Sequence, residues 1–263
     1  MPGFADGFFG AVSNRLPSAP GWRMIYNPDK SRVEVQTDKF GTGFWFPVGG
    51  WGLYHIHDDF HGVLTSVAGK VVSSAGWDVT VAVGGTVAPV SDHGGGLLFT
   101  IDGNNAEAAI HFGEIYPFKL LGEPHLEFEG HLDTLAAAKL AELGLEDATE
   151  DHHVLIYYDG TAGEIRWSVD NGTGAPTTGL ITGSPDMLDH VYQMRFGDDG
   201  TNGPGSKCEI AVDGVIVATL TKAATAKYPL TNTLMTIACH ASSAGAAAFS
   251  YTLHHVNVVA DKV

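Results

Sequence analysis

Basic residues are scarce. Fourteen Lys plus Arg stand against thirty Asp plus Glu, a formal charge of −16, and no Lys/Arg cluster offsets that balance locally. Such a surface repels phosphate backbones, so nucleic-acid binding is not expected. Long apolar runs are missing as well. None approaches the roughly 20 residues of a membrane-spanning helix, and no membrane partner is expected. Cysteine is limited to Cys208 and Cys239, too few for a disulfide framework. The opening Met1-Pro2-Gly3-Phe4-Ala5-Asp6 lacks the basic and apolar regions of a signal peptide, so synthesis in the cytoplasm is the expectation. No G-x-S-x-G elbow, P-loop or dinucleotide fingerprint occurs. Glycine is abundant, 34 of 263 residues, but shows no G-X-Y period, which excludes collagen. With 44% hydrophobic and 17% charged residues the chain is able to bury a sizeable core.

The sequence divides near residue 54. Residues 1–53 read as an irregular arm rich in Gly, Pro and aromatics, with one short strand expected over 32–36. A solvated linker would avoid so many rings, because each forfeits a large apolar burial. The arm's Phe4, Phe8, Phe9, Trp22, Tyr26, Trp45 and Trp51 are therefore candidate contacts, either with the chain's own domain or with a neighbouring subunit.

Residues 54–263 read as β-structure. Apolar and polar residues alternate with a period of two in 97–101, 126–132, 154–158, 164–169 and 191–196. In 164–169, Ile165, Trp167 and Val169 share a face, and in 191–196 Tyr192, Met194 and Phe196 do. Asp213-Gly214 between 209–212 and 215–220 is a strong hairpin signal. Strands follow at 234–239 and 249–256. Many short strands with frequent turns predict an antiparallel β-sandwich. Residues 134–144 conflict with this, since their helix propensity is high and Gly144 would cap a helix.

Candidate chemistry is sparse. On a strand, His55, His57, Asp59 and His61 would share one face and resemble a metal-binding set. The spacing departs from the H-x-H-x-D-H pattern, and no downstream segment completes it, so a polar strand end is favoured. Adjacent residues of a strand leave opposite faces, so His152-His153 and His254-His255 do not chelate as pairs. Glu127 and Glu129 share a strand face, as the two carboxylates of a sandwich glycosidase would. They lack the longer laminarinase-like pattern of two Glu bracketing an Asp, and a solvated pair is the simpler reading. Residues 198–203 carry oxygen donors without calcium-loop spacing and read as a turn. Cys239 reads as a buried thiol. No catalytic residue, metal ligand or cofactor is expected.

From about Asp59 onward the chain resembles the concanavalin A-like (laminin-G-like) jelly-roll structural proteins of tailed bacteriophages. Residues 95–101 with 104–110 resemble the family's opening hairpin, and 126–129 the strand that begins its extended sheet. Residues 140–145 take the place of the next strand. Residues 190–196 resemble its solvent-strand motif, and 209–215 its recurring x-V-x-V-D-G-V hairpin. The resemblance implies a strand, not a helix, at 140–145, with Leu143 and Leu145 turned inward. It also implies a non-enzymatic virion component on the capsid exterior: a decoration or cement protein. The aromatic arm would bind the major capsid protein and neighbouring copies of the chain, most simply as a trimer. The alternative implied is a carbohydrate-binding module of a phage tail or head fibre that attaches to host surface glycans. A hydrolase using the sandwich cleft or the His55 cluster is the remaining rival.

Overall fold

A computed structural model of the chain describes side chains for residues 56–60, 77–90, 95–103, 105–111, 117–137, 140–243, 245 and 247–261. Strand backbone is also described at 22–27, 32–37, 46–50, 53–55, 66–67, 70–71 and 139. Among the described residues, twenty strands make up three antiparallel sheets. Near the N-terminus β1 (Trp22–Asn27), β2 (Arg32–Thr37) and β3 (Phe46–Gly50) form a three-stranded sheet. The strand expected at 32–36 is β2, and two further strands flank it. The arm is thus less irregular than its composition suggests.

The remaining strands are β4 (Leu53–Asp58), β5 (Ser66–Val67), β6 (Lys70–Val71), β7 (Asp78–Ala82), β8 (Gly85–Pro89), β9 (Leu97–Ile101), β10 (Glu107–His111), β11 (His125–Leu132) and β12 (Lys139–Glu146). They continue with β13 (His152–Asp159), β14 (Glu164–Asn171), β15 (Thr177–Thr182), β16 (His190–Gly197), β17 (Lys207–Val212), β18 (Val215–Thr221), β19 (Thr236–Ser243) and β20 (Phe249–Asp261). One sheet has nine strands in the order β15-β14-β13-β12-β19-β10-β7-β6-β5. The other has eight, β18-β17-β16-β11-β20-β9-β8 with β4 added on β20. The chain passes between these two sheets after β4, β7, β9, β10, β11, β15, β18 and β19, as a jelly-roll sandwich requires. The expected all-β fold is the observed one, and the only helix among the described residues is a 3₁₀ turn at Leu120–Gly122.

Alternation builds the core. In β9, Leu97, Phe99 and Ile101 are fully buried while Leu98 and Thr100 are half-buried. Tyr192, Met194 and Phe196 point inward from β16, and Ile165 and Val169 from β14, with Trp167 packed against the same core. Aromatic pairs form both between the layers and within a sheet. Tyr158 of β13 stacks on Phe249 of β20 at 5.6 Å between centroids, and Phe99 stacks on Tyr251 at 4.4 Å. Such pairs add about 1 kcal/mol each beyond the area they bury. Asp213 and Gly214 turn between β17 and β18 with φ of 51° and 78°, the double positive φ of a type I′ hairpin.

Residues 139–146 form a strand, in spite of their helix propensity. Leu145 is fully buried and Leu143 packs on the core, so two-sided pairing with β13 and β19 overrides local preference. The expected opening hairpin does not form. Strand β9 pairs with β8 and β20, whereas β10 pairs with β7 and β19, so this turn crosses between sheets. Both cysteines are buried and unpaired. Burial pushes both thiols up, which leaves them unreactive at neutral pH.

Candidate functional site

The outer face of the nine-stranded sheet carries a group of interacting titratable side chains. Leu145 and Ala141 of β12 face the core, so Glu142, Gly144 and Glu146 face outward. Register extends this face sideways. Glu142 lies opposite Tyr157 of β13 and His240 of β19, Tyr157 lies opposite Arg166, and His240 lies opposite Ala109 of β10. Glu146 lies opposite His153 and Thr236. Between these two polar rows run Ala238, Gly144 and Leu155, which form a low floor. A side chain at Gly144 would run into the backbone of Val154 and Leu155, which fixes glycine there.

Next to this floor is a recess of about 210 Å³, lined by Thr80, Glu107, His111, Glu146, Glu150 and His240 among others. His240 is its centre. Its Nδ1 lies 3.0 Å from Glu142 Oε2 and its Nε2 3.5 Å from Glu107 Oε1. Burial by itself would lower the His240 pKa. The Glu142 hydrogen bond and the charges of Glu142, Glu107 and Glu146 outweigh burial and raise it. Glu146 is pushed up to about 7, first by burial and then by the charges of Glu150, Glu142 and Asp147, with His240 opposing.

The turn after β12 shapes the rim. Asp147 accepts hydrogen bonds from the backbone N–H groups of Thr149 and His152, both at 3.2 Å, and its carboxylate meets His152 Nδ1 at 3.1 Å. Glu150, with φ of 60°, follows in that turn at the recess edge. One carboxyl half-protonated near neutrality, beside other carboxylates held by an imidazole, is an arrangement able to donate and accept protons on a bound molecule.

The sequence-level candidates are distributed differently. Phe4, Phe8, Phe9, Trp45 and Trp51 lie outside the described residues. Trp22 and Tyr26 fall on β1, but their side chains lie outside them too. Of the histidine cluster, the His55 side chain lies outside the described residues. Strand β4 ends at Asp58, which turns inward to accept hydrogen bonds from Trp77 Nε1 and the Phe60 backbone N–H, both at 2.9 Å. Phe60 at φ 53° breaks the alternation, and His61 lies outside the described residues. Glu127 and Glu129 share the outer face of the eight-stranded sheet, but Glu127 is not simply solvated. It accepts from Gln193 Nε2 at 3.0 Å and lies 3.5 Å from His255 Nε2. Residues 198–203 form a turn tied by the Asp199 carboxylate to the N–H groups of Thr201 and Asn202.

His152 and His153 diverge as expected, to Asp147 and to Ser168. His254 and His255 do not. The pairing of β11 with β20 skips one residue, matching Glu129 to His255 and Gly130 to Leu253. This bulge lets both rings reach outward-facing partners, His131 and Glu127.

The residues of the recess escaped the sequence reading. Glu142 lies in the stretch with helix propensity and Glu146 just beyond it, and Glu107 and His240 are distant in sequence. The available signal was the E-x-x-x-E spacing, which shares a face once 140–146 is a strand.

No protein-family model matches the sequence, and neither does any curated protein. Solved structures do match in fold. An endo-1,3-β-glucanase from Streptomyces sioyaensis superposes with a TM-score of 0.55 at 16% identity, covering 82% of this chain and 99% of its own. A β-1,3-glucanase from Mycobacterium marinum gives 0.56 at 12%, covering 77% and 97%. An immunostimulatory antigen and pseudo β-1,3-glucanase of Mycobacterium tuberculosis gives 0.53 at 14%, covering 80% and 99%. The chain is thus an all-β jelly-roll protein with the fold of these glucanases. This corrects two expectations. The solved structures that share the chain's fold are glucanases and a pseudo-glucanase, which overturns the expectation of a capsid decoration protein. It also removes the ground for reading the chain as non-enzymatic. The phage resemblance rested on strand order, which jelly rolls of unrelated function share.

Proposed function

We propose that this is a carbohydrate-active protein of the concanavalin A-like group, which binds a glycan across the nine-stranded sheet and cleaves it at the Glu142–Glu146 recess. One observation carries the reading: Glu146 holds its proton to about pH 7 on the same strand face as Glu142, whose carboxylate is held by His240. Glycoside hydrolysis needs one carboxyl that donates a proton to the leaving oxygen and a second that acts as base or nucleophile. Burial and like charges give Glu146 the first role, by the physics that raises a glycosidase acid. Glu142 takes the second, and His240 keeps its carboxylate oriented. The floor of Ala238, Gly144 and Leu155 leaves room for a sugar ring, while Tyr157 and Arg166 extend polar contacts along the same row. The fold shared with glucanases supports a β-glucan as the first substrate to try.

The test is release of reducing ends from β-1,3-glucan and other β-glucans by the purified chain. Cleavage is expected on the acid side of neutrality, falling as Glu146 deprotonates above about pH 7. Glu146→Gln and Glu142→Gln should each lower the rate by about 10²-fold or more. Cleavage that survives both substitutions would place the chemistry elsewhere. Glycan binding without cleavage would reduce the site to recognition.

A further inference from the structure

We propose that the opposite face of the sandwich holds a divalent transition-metal site of the zinc type, formed by His131, Asp189 and His254. His131 closes strand β11, His254 is the extra residue at the bulge of β20, and Asp189 lies just before β16. The three offer one ligand atom each, all within 4.8 Å of one another. His131 Nδ1 lies 2.6 Å from Asp189 Oδ1, and His254 Nε2 lies 3.2 Å from the same oxygen. Ligand atoms around a tetrahedral zinc stand roughly 3.3 Å apart, so small adjustments suffice.

Hydrogen bonding argues for a cation between these atoms. His254 Nδ1 lies 3.0 Å from the Gly95 carbonyl oxygen, which only accepts, so Nδ1 carries the proton of the neutral ring. Nε2 then turns a lone pair toward Asp189, and it is buried without a hydrogen-bond partner. His131 has a carboxylate oxygen at each nitrogen, Asp189 at Nδ1 and Asp133 at Nε2, the latter at 3.2 Å. Whichever nitrogen of the neutral ring lacks a proton faces an oxygen lone pair. Two protonated rings would satisfy these contacts only by placing two positive charges with centroids 5.4 Å apart. One divalent ion satisfies them together.

The outer contacts are those of a metal site. Asp133 orients His131 and in turn accepts from Thr252 Oγ1 at 3.0 Å, while the Gly95 carbonyl orients His254. Partners of this kind fix the tautomer and the ring direction of metal-bound histidines. Two imidazoles and one carboxylate suit zinc and related ions better than calcium or magnesium. The bound ion would clamp the β15–β16 connection onto the bulge of β20, with a fourth position open to water.

The experiment is calorimetric titration of the full chain, stripped with chelator at pH 7.5, with zinc chloride. One equivalent is expected to bind. Asp189→Asn, a change at a half-exposed loop position, should weaken binding at least tenfold, and Asp133→Asn by about 10- to 100-fold. His152→Gln, which alters a different His–Asp contact, should leave it unchanged. No stoichiometric zinc, or equal binding by Asp189→Asn, would overturn the site.

Discussion

Replacing Glu146 with Gln should stabilise the protein at alkaline pH while removing its proposed acid. In the folded chain this carboxyl titrates at about 7, against 4.5 for a free side chain. Below pH 4.5 both states hold the proton, and the shift costs nothing. Between 4.5 and 7 the unfolded chain releases its proton and the folded chain keeps it, so stability falls as pH rises. Above 7 the full difference applies, on the order of 3 kcal/mol at 1.36 kcal/mol per unit. His240 slopes the same way. Its pKa is raised in the fold, so its contribution is complete below its unfolded pKa and is lost as pH rises through the folded one. Glutamine carries no charge at any pH, so it removes the Glu146 part together with the small share of the His240 shift that Glu146 causes. Urea denaturation at pH 5 and at pH 8 should show Glu146→Gln close to the parent at the lower pH and up to about 3 kcal/mol more stable at the higher. In a thermal scan at pH 8 that corresponds to a rise of about 6–12 °C. Parallel pH profiles for the two proteins would refute the assignment. A gain in stability joined to a loss of activity is the usual sign of a strained functional group.

Two further outcomes follow from packing. Gly144→Ala should cost about 1–3 kcal/mol, because the new methyl would lie 2.9 Å from Leu155 Cα on the adjoining strand and force β12 from β13; the urea midpoint reads this directly. Cys208 and Cys239, both fully buried, should resist a thiol reagent such as dithiobis(nitrobenzoate) at pH 8 until denaturant is added, and rapid labelling of the native protein would contradict their placement.

The sheet architecture was readable where local chemistry and global packing agree. Asp213-Gly214 names its own turn, and the alternation in 97–101 and 191–196 names its inward faces. Residues 134–144 show the limit. Ala, Leu, Glu and Lys favour a helix in isolation, and only the pairing of β12 with two neighbours, one of them nearly a hundred residues away, makes a strand. The functional face inherits that difficulty. His240 meets Glu142 across 98 residues of sequence, and no local spacing encodes such a meeting. Glu127 and Glu129 look paired in one dimension, whereas Glu142 and Glu146 share a face only once their segment is a strand. The bulge at His254 was equally hidden, since one extra residue in a strand changes which face a ring takes without changing composition or pattern.

Strands β19 and β20 have a consequence for how the molecule comes into being. The first lies between β12 and β10, the second between β11 and β9, so two strands that follow all the others of the sandwich in sequence are the keystones of both layers. Until residues 236–261 emerge, each sheet exists as two halves with open inner edges, four rows of unpaired backbone groups that invite pairing with other chains. Folding of the sandwich must therefore wait for these two strands and then close contacts of long sequence separation, which is slow. A chain lacking these two strands would be an aggregation hazard, whatever chemistry its remaining residues could perform.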